Sequence, residues 1–297
     1  LNRTTPINVS TLSSGVKRVA AGAYHTCALM TTGTINCWGA NYRGQLGNNS
    51  TTASFTPVAV LNIEEEVVDI SLGEISTCAK TLSGKIFCWG DNRSGQLGIG
   101  NTTDSWVPVE VPAFSSLSAT AITADARHAC AVAGGSASCW GLNASGQLGD
   151  GTTFSQTVPT NVTDLNTNII DIDAGQFHAC ALKQTGSAVG AKCWGLNSSG
   201  QLGDTTLTQR FFPVDVSGLS TGVNAISAGG YHTCALLESQ RVKCWGRNDT
   251  AQLGINPGWF PVSVVGLDAP PPTPTLTSTP TITPTPTVPT LTSTPTP

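Results

Sequence analysis

The chain has 297 residues, only 11% of which are charged, and its formal net charge is −4. It contains no run of Lys or Arg, which argues against the phosphate-neutralising surface that nucleic acids require. No stretch approaches the roughly eighteen consecutive apolar residues of a membrane-spanning helix. Thirty-two glycines together with few charges are typical of short strands joined by tight turns. The composition therefore favours one large all-β domain.

The chain is built from five copies of one repeat. Five tryptophans lie at successive spacings of 51, 51, 54 and 51 residues: Trp38, Trp89, Trp140, Trp194 and Trp245. A fixed period in this range indicates a solenoid or a propeller. Each unit also holds four runs of β-forming residues bounded by Gly, Asn and Pro. Four short strands per unit predict an all-β fold, a β-propeller of about 51-residue repeats with five complete repeats.

The first unit shows the order of these runs. An apolar run, Val19–Gly22, precedes the segment His25–Leu29. The signature Cys37–Gly47 follows, and a polar loop then leads to Pro57–Val60. We expect these four segments to form the inner strand, the central hairpin and the outer strand of one blade.

Ten cysteines fall into five pairs, one in each unit: Cys27 and Cys37, Cys78 and Cys88, Cys130 and Cys139, Cys180 and Cys193, Cys234 and Cys244. An even number of regularly paired cysteines favours disulfides and an oxidising compartment. The alternative is zinc, but zinc sites use shorter C-x(2–4)-C spacings with four converging ligands. We therefore predict five bridges, each within its own blade.

The register of the central hairpin follows from this pairing. If Cys27 faces Cys37, residues 31–33 form a three-residue turn that ends in Gly, a favoured hairpin geometry. The third unit is one residue shorter, and residues 134–135 suit a two-residue turn. Directly opposed residues of two such strands lie within disulfide reach.

The signature W-G-x-N-x-x-G-Q-L-G recurs in four units without a mismatch, and the fifth unit departs from it at Ala251. The third unit has Asp125 where the others end the inner strand with Gly. Over residues 6 to about 267 this pattern resembles the regulator of chromosome condensation repeat. The resemblance implies a propeller, and most members of that family have seven blades. Its best-known member exchanges nucleotide on a nuclear GTPase and binds chromatin.

Bacterial relatives in that family include a secreted inhibitor that caps β-lactamase with one propeller face. The paired cysteines and the acidic balance of this chain favour the secreted, bacterial type over a nuclear exchange factor.

Four histidines occupy one slot of the repeat, two residues before a cysteine: His25, His128, His178 and His232. A metal-binding ring is one interpretation, but the second unit has Ser76 in this slot, and propeller symmetry holds the copies apart. We expect a repeated structural hydrogen bond, with no metal site and no cofactor. The signature asparagines, such as Asn41, are expected to cap a turn or to take a left-handed conformation.

The residues just before the histidine slot are not dictated by the repeat, and we predict that they form a partner-binding rim: Tyr24, Ile75, Arg127, Phe177 and Tyr231. Large apolar residues and an Arg at one rim match the composition of interface hot spots. Packing of aromatic residues between blades is an equally good interpretation of these positions.

The last part of the chain differs from the repeats. Residues 269–297 are mainly Pro and Thr and carry no charge, which favours an extended, disordered stalk or linker. Such segments are frequent sites of O-glycosylation. We therefore divide the chain into a repeat domain at residues 1–268 and a Pro/Thr-rich tail at residues 269–297.

The sequence predicts a function without catalysis. We expect an extracellular or cell-surface binding or scaffold module that presents a propeller face to a protein or glycan partner. The alternative is a structural subunit of an extracellular fibre or sheath, which would self-associate through spare edge strands and the tail. Neither nucleic acid nor a transmembrane segment is expected.

The outer-strand motif P-x-x-V occurs six times, once more than the tryptophan signature: Pro6, Pro57, Pro108, Pro159, Pro213 and Pro261. Three explanations are open. The chain, which begins at Leu1 without Met, is a fragment of a longer array; or five blades close with a redundant edge strand; or the spare strand at Pro6–Val9 pairs with another copy.

Overall fold

The computed structural model describes residues 3–254 and the backbone of residues 262–263. In these residues, twenty strands form five four-stranded antiparallel sheets, and a single 3-10 turn lies at Pro112–Phe114. The predicted all-β propeller of five repeats is confirmed. None of the described helical segments is long and apolar enough to cross a membrane. The predicted tail at residues 269–297 lies outside the described residues.

Each repeat forms one sheet, called a blade here, in which the strands follow one another from the inner to the outer edge. Blade 1 contains β1 (Val16–Ala21), β2 (His25–Met30), β3 (Ile35–Gly39) and β4 (Ser54–Ala59). Blade 2 contains β5 (Val67–Leu72), β6 (Ser76–Thr81), β7 (Ile86–Gly90) and β8 (Ser105–Glu110). Blade 3 contains β9 (Ala119–Asp125), β10 (His128–Ala133), β11 (Ser136–Gly141) and β12 (Gln156–Asn161). Blade 4 contains β13 (Ile169–Ala174), β14 (His178–Thr185), β15 (Ala188–Gly195) and β16 (Arg210–Asp215). Blade 5 contains β17 (Val223–Ala228), β18 (His232–Leu237), β19 (Val242–Gly246) and β20 (Val262–Ser263).

The predicted disulfides are confirmed. In every blade the two cysteines face each other across the second and third strands, with their Cα atoms 4.0–4.2 Å apart. The five bridges join Cys27 to Cys37, Cys78 to Cys88, Cys130 to Cys139, Cys180 to Cys193, and Cys234 to Cys244. No cysteine is free, and no bridge connects one blade to another.

The predicted turns of the central hairpin are also present. Gly33 has a φ of +80°, the left-handed conformation expected at the end of a three-residue turn. Gly134 and Gly135 form the shorter turn of blade 3.

The hydrophobic core lies between blades and not within them. Four clusters of buried residues each join two successive blades, and the cysteines of one blade pack with apolar residues of the next. Each cluster contains the signature leucine of one blade and the tryptophan of the following blade: Leu46 and Trp89, Leu97 and Trp140, Leu148 and Trp194, Leu202 and Trp245. A blade is therefore stabilised by its neighbours, as in other repeat proteins.

The signature explains how successive blades are joined. The indole Nε1 of Trp89 donates to the backbone carbonyl of Gln45 in the preceding blade at 3.0 Å, and three later blade pairs repeat this bond at 2.9 Å. The glycine that ends the signature lies under the same indole. A Cβ atom on Gly47 would come within 2.7 Å of Trp89 Nε1, so this position requires Gly.

The signature asparagines hold the loop that follows the third strand. Asn41 is fully buried; its Oδ1 accepts the backbone N–H of Leu46 at 2.9 Å, and its Nδ2 donates to the carbonyls of Ser50 and Thr52. The signature asparagines of blades 2 to 4 make the corresponding bonds. The predicted capping role is therefore confirmed, whereas none of these four asparagines takes a left-handed conformation.

Blades 1 and 5 do not pack against each other as successive blades do, within residues 3–254. Trp38 of blade 1 is half-buried, whereas its four counterparts are completely buried. Phe55 is 99% exposed and Val19 is 58% exposed on the same blade. In the described part of the chain, this arrangement does not fit the alternative in which the five blades close on one another. The spare segment Pro6–Val9 is not part of any strand.

Candidate binding face

The five predicted rim residues lie on one edge of the propeller, called the top face here. Each of them directly precedes the second strand of its blade, where the chain arrives from the inner strand. The third strand ends at the same edge, so the signature loop belongs to this face as well. In every blade the residue after Trp-Gly donates its backbone N–H to the carbonyl of the rim residue: Ala40 to Tyr24, Asp91 to Ile75, Leu142 to Arg127, Leu196 to Phe177 and Arg247 to Tyr231.

The rim residues differ in their exposure. Tyr24 is 56% exposed, Arg127 is exposed, and Phe177 and Tyr231 are half-buried. Ile75 is only 3% exposed, so its side chain is not available to a partner. Four of the five predicted rim residues therefore have exposed or half-buried side chains on the top face.

Phe177 and Tyr231 come together across blades 4 and 5. Their ring centroids lie 5.9 Å apart at a tilted angle, an arrangement that aromatic pairs favour. The guanidinium of Arg247 lies 5.5 Å from the centroid of the Tyr231 ring and forms an ion pair with Asp249. An aromatic pair with an Arg is the composition that protein interfaces enrich.

The sequence prediction missed Arg247 and Tyr42. Arg247 stands at the variable position after Trp-Gly, and Tyr42 stands at a variable position inside the signature. Tyr42 is 54% exposed. Burial, the neighbouring Tyr24 and nearby carboxylates raise the pKa of Tyr42, which places it beside the rim. Both residues could have been identified from the sequence, because the signature positions that they occupy change from blade to blade.

A cavity of about 520 Å³ lies at the centre of the top face. Residues from all five blades line it, and three acidic side chains belong to this lining: Glu74, Asp125 and Asp173. Burial raises the pKa of Asp125 to about 6, and the charges of Asp173 and Glu74 add to this shift. Asp173 accepts hydrogen bonds from Thr123 Oγ1 and from the backbone N–H of Ala228, both at 2.9 Å, so it also joins neighbouring blades. The centre of the face is therefore acidic, with a rim of aromatic and basic residues.

A second, smaller cavity of about 210 Å³ lies beside the central one. Arg127, Leu142 and Phe177 line it together with Glu74 and Gln176. The two cavities share Glu74, so the acidic centre continues into an apolar recess at the rim.

Two of the four repeat histidines contact a threonine of the following blade. His25 Nε2 lies 2.7 Å from Thr77 Oγ1, and His178 makes the same contact with Thr233 at 2.9 Å. Among the described residues, His128 has no hydrogen-bond partner on either ring nitrogen, so the repeated hydrogen bond is present in only some of the blades. Burial lowers the pKa of His25 and of His128 to about 4. Within the described residues, no cluster of three or more His, Cys, Asp or Glu side chains could hold a metal ion.

Taken together, fold and face define a β-propeller whose disulfide-bearing blades present a shaped surface on one side. Models of the regulator of chromosome condensation (RCC1) repeat match the chain at residues 16–45, 67–96, 169–201 and 223–252, and in a second register at residues 32–79, 83–132, 135–182 and 193–236. The chain belongs to the RCC1 repeat family.

Known relatives agree with this assignment. The ultraviolet-B receptor UVR8 of Arabidopsis thaliana is 31% identical over 260 residues, which cover 86% of this chain and 58% of UVR8. The probable E3 ubiquitin-protein ligase HERC6 of Homo sapiens is 33% identical over 249 residues, which cover 81% of this chain and 24% of HERC6. The chain thus spans little more than half of one relative and a quarter of the other.

Two solved structures share the fold. Human WBSCR16 superposes with a TM-score of 0.75 at 21% identity, over 84% of this chain and 67% of that protein. Yeast RCC1 (Prp20), solved with bound Kap60, superposes with a TM-score of 0.73 at 20% identity, over 84% of this chain and 64% of that protein.

Proposed function

We propose that this chain is a non-catalytic, extracellular protein-binding module, and that its partner binds to the top face. One observation carries the proposal: an acidic central cavity is flanked by an exposed or half-exposed rim of Tyr24, Arg127, Phe177 and Tyr231. The repeat does not require these residue types, because the same slot holds Ile75 in blade 2. Yeast RCC1, which shares the fold, was solved in complex with the protein Kap60, and this supports a protein as the partner.

The chemistry of the face suggests the kind of partner. The carboxylates of Glu74 and Asp125 favour a cationic group, Lys or Arg, entering the central cavity. The rings of Phe177 and Tyr231 favour an apolar or aromatic neighbour of that group. The five disulfides support an oxidising, extracellular location.

The experiment compares capture by three forms of the chain from the medium in which the protein occurs. The rim variant combines Tyr24→Ser, Phe177→Ser and Tyr231→Ser. The control variant combines Leu82→Ser and Leu117→Ser; these residues are 69% and 54% exposed and lie at the opposite edge of the sheets, Leu82 in the turn between β6 and β7 and Leu117 just before β9. We expect quantitative mass spectrometry to find proteins that bind the parent and the control but not the rim variant.

Two outcomes contradict the proposal. In one, the rim variant captures the same proteins as the parent. In the other, the rim variant loses capture but also unfolds at a much lower temperature than the control, which would make these aromatic residues packing elements. The charge of the cavity is tested separately with Glu74→Gln, which should weaken capture and reduce its dependence on salt.

A further inference from the structure

An ion-pair network lies on the top face where blades 1 and 2 meet, outside the predicted rim. Asp91, the residue after Trp-Gly in blade 2, has a fully buried side chain. Its Oδ1 accepts a hydrogen bond from Arg93 Nε at 2.5 Å and lies 3.8 Å from the Nε of Arg43, in the signature loop of blade 1. Arg43 Nη1 also donates to Asp104 Oδ2 at 3.0 Å. One buried carboxylate therefore contacts two arginines, one from each blade.

The repeat itself does not require this carboxylate. Asp91 Oδ2 accepts a hydrogen bond from the signature glutamine of its own blade, Gln96 Nε2, at 2.6 Å. In blades 1, 3 and 4 the residue after Trp-Gly is apolar, and the glutamine Nε2 is buried without a partner among the described residues: Gln45, Gln147 and Gln201. The Oε1 atoms of these glutamines still accept the same backbone N–H of the signature loop as in blade 2. The loop thus forms without an acid, and what Asp91 adds is the orientation of the two arginines.

The acids of the network lie inside and the bases lie outside. The side chains of Asp91 and Asp104 are 0% and 19% exposed, whereas those of Arg43 and Arg93 are 35% and 47% exposed. A guanidinium has five N–H donors, and within the described residues Arg93 uses only its Nε, for Asp91. Its two Nη groups can therefore donate to a carboxylate in the bidentate manner. The network has no net charge, yet its surface consists of guanidinium donors.

Exposed aromatic side chains lie beside the two arginines. Tyr42 precedes Arg43, and the charges of Arg43 and Glu74 both act on its hydroxyl, so it lies close to the network and to the acidic central cavity. Trp106 is 49% exposed, and its Cα would lie 2.5 Å from a Cβ atom on Gly44, the residue after Arg43. Arginine together with Tyr and Trp is the composition of interface hot spots. This surface is called the arginine patch here: Tyr42, Arg43, Arg93 and Trp106.

We infer that the arginine patch binds an Asp or Glu side chain of the protein partner, and that Asp91 is the positioning residue that orients the two arginines for it. The inference rests on the proposed function, because it assigns a second contact to the same face. A partner that fits places Lys or Arg in the central cavity and a carboxylate over Arg43 and Arg93, with an apolar neighbour against Tyr42 or Trp106. Opposite charges at two separate points fix the orientation of the partner, which the acidic cavity alone does not.

The first test needs no identified partner. Acetyl-Leu-Glu-amide is titrated into the whole chain, and acetyl-Leu-Gln-amide is the neutral control. NMR follows the arginine Nε–H and tryptophan indole N–H signals, and single Arg43→Lys and Arg93→Lys variants assign the arginine signals. We expect the Glu peptide to shift the signals of the arginine patch with a Kd about threefold lower than that of the Gln peptide. Asp91→Asn should remove this difference, because Asn keeps an acceptor for Gln96 but not the charge that holds the arginines.

Arg210 is the matched control on blade 4. It is 34% exposed and pairs with Asp204, whose side chain is only 6% exposed, but it has no second arginine beside that carboxylate. Its signal should respond equally to the two peptides. Signals of Arg43 and Arg93 that also respond equally to both peptides contradict the carboxylate site, whether or not a partner is known.

The second test uses the protein captured in the experiment on the rim. The double variant Arg43→Lys, Arg93→Lys keeps both positive charges beside Asp91 but loses the planar fork of donors. Its melting temperature should match that of Arg210→Lys, while its affinity for the partner should fall by about tenfold. If the double variant melts far below this control, Asp91→Asn takes its place, with the same expected loss of affinity.

The outcomes separate the two proposals. A partner that is lost by the rim variant but binds the double variant and Asp91→Asn as tightly as the parent leaves the proposed function intact and contradicts the arginine patch. A parent chain that captures nothing contradicts the proposed function, and the peptide titration then decides the carboxylate site.

Discussion

The hydrogen-bonded chain between blades 1 and 2 can be tested with Thr77→Val. The single hydroxyl proton of Thr77 is donated to the carbonyl of Gln45 at 2.9 Å, so His25 Nε2, 2.7 Å away, must donate to Thr77 Oγ1. Nε2 of His25 therefore carries a proton, and because burial lowers the pKa of His25 to about 4, the ring is neutral at pH 7 with that single proton on Nε2. Valine keeps the shape of the side chain but leaves this N–H buried without an acceptor. The Gln45 carbonyl still receives Trp89 Nε1.

A buried donor without a partner costs about 1–3 kcal/mol. We expect Thr77→Val to lower the free energy of unfolding by this amount, measured by guanidinium denaturation with the disulfides intact, at an unchanged m-value. Thr102→Val, at an exposed threonine, is the control and should change stability by less than about 0.5 kcal/mol. The reasoning is refuted if the two variants are equally stable.

Three further predictions concern the same interfaces. Ala179 occupies in blade 4 the position that Thr77 occupies in blade 2. Ala179→Thr should therefore give His128 a hydrogen-bond partner and raise the free energy of unfolding by about 1 kcal/mol in the same denaturation assay. Burial lowers the pKa of His128 to about 4, so unfolding takes up a proton below about pH 6.5 and the free energy of unfolding falls as the pH falls. Between pH 7 and pH 5, the free energy of unfolding of His128→Ser should therefore fall by about 2 kcal/mol less than that of the parent. Gly44→Ala should lower the melting temperature much more than Gly100→Ala. Both glycines have a positive φ, but only a Cβ atom at position 44 would press against Trp106. Equal decreases in melting temperature would rule out this contact.

The sequence was sufficient for everything that one blade determines by itself. The cysteine pair and the glycine turns set the hairpin register, because side chains alternate along a strand and a bridge fixes one opposed pair. The positions of the rim residues followed from the same alternation, since each directly precedes the second strand.

What the sequence did not reveal depends on contacts between blades. Ile75 occupies the rim slot but is buried, and the repeat pattern carries no sign of that difference. His128 lacks a partner because Ala179 replaces a threonine 51 residues away, a relation that becomes visible only when the blades are stacked. Trp38 is likewise only half-buried because no described blade packs beside it, which no local pattern predicts.

Site-specific photo-crosslinking tests the binding face most directly. A photoreactive phenylalanine analogue replaces Tyr24, Phe177 or Tyr231 on the top face, and Leu82 or Leu117 at the opposite edge, in otherwise identical chains. After irradiation in the native medium, the three top-face positions should form crosslinks to a common protein partner, and the two opposite positions should not. Crosslinks to that partner from Leu82 or Leu117 alone, or equally from both edges, would contradict binding through the top face.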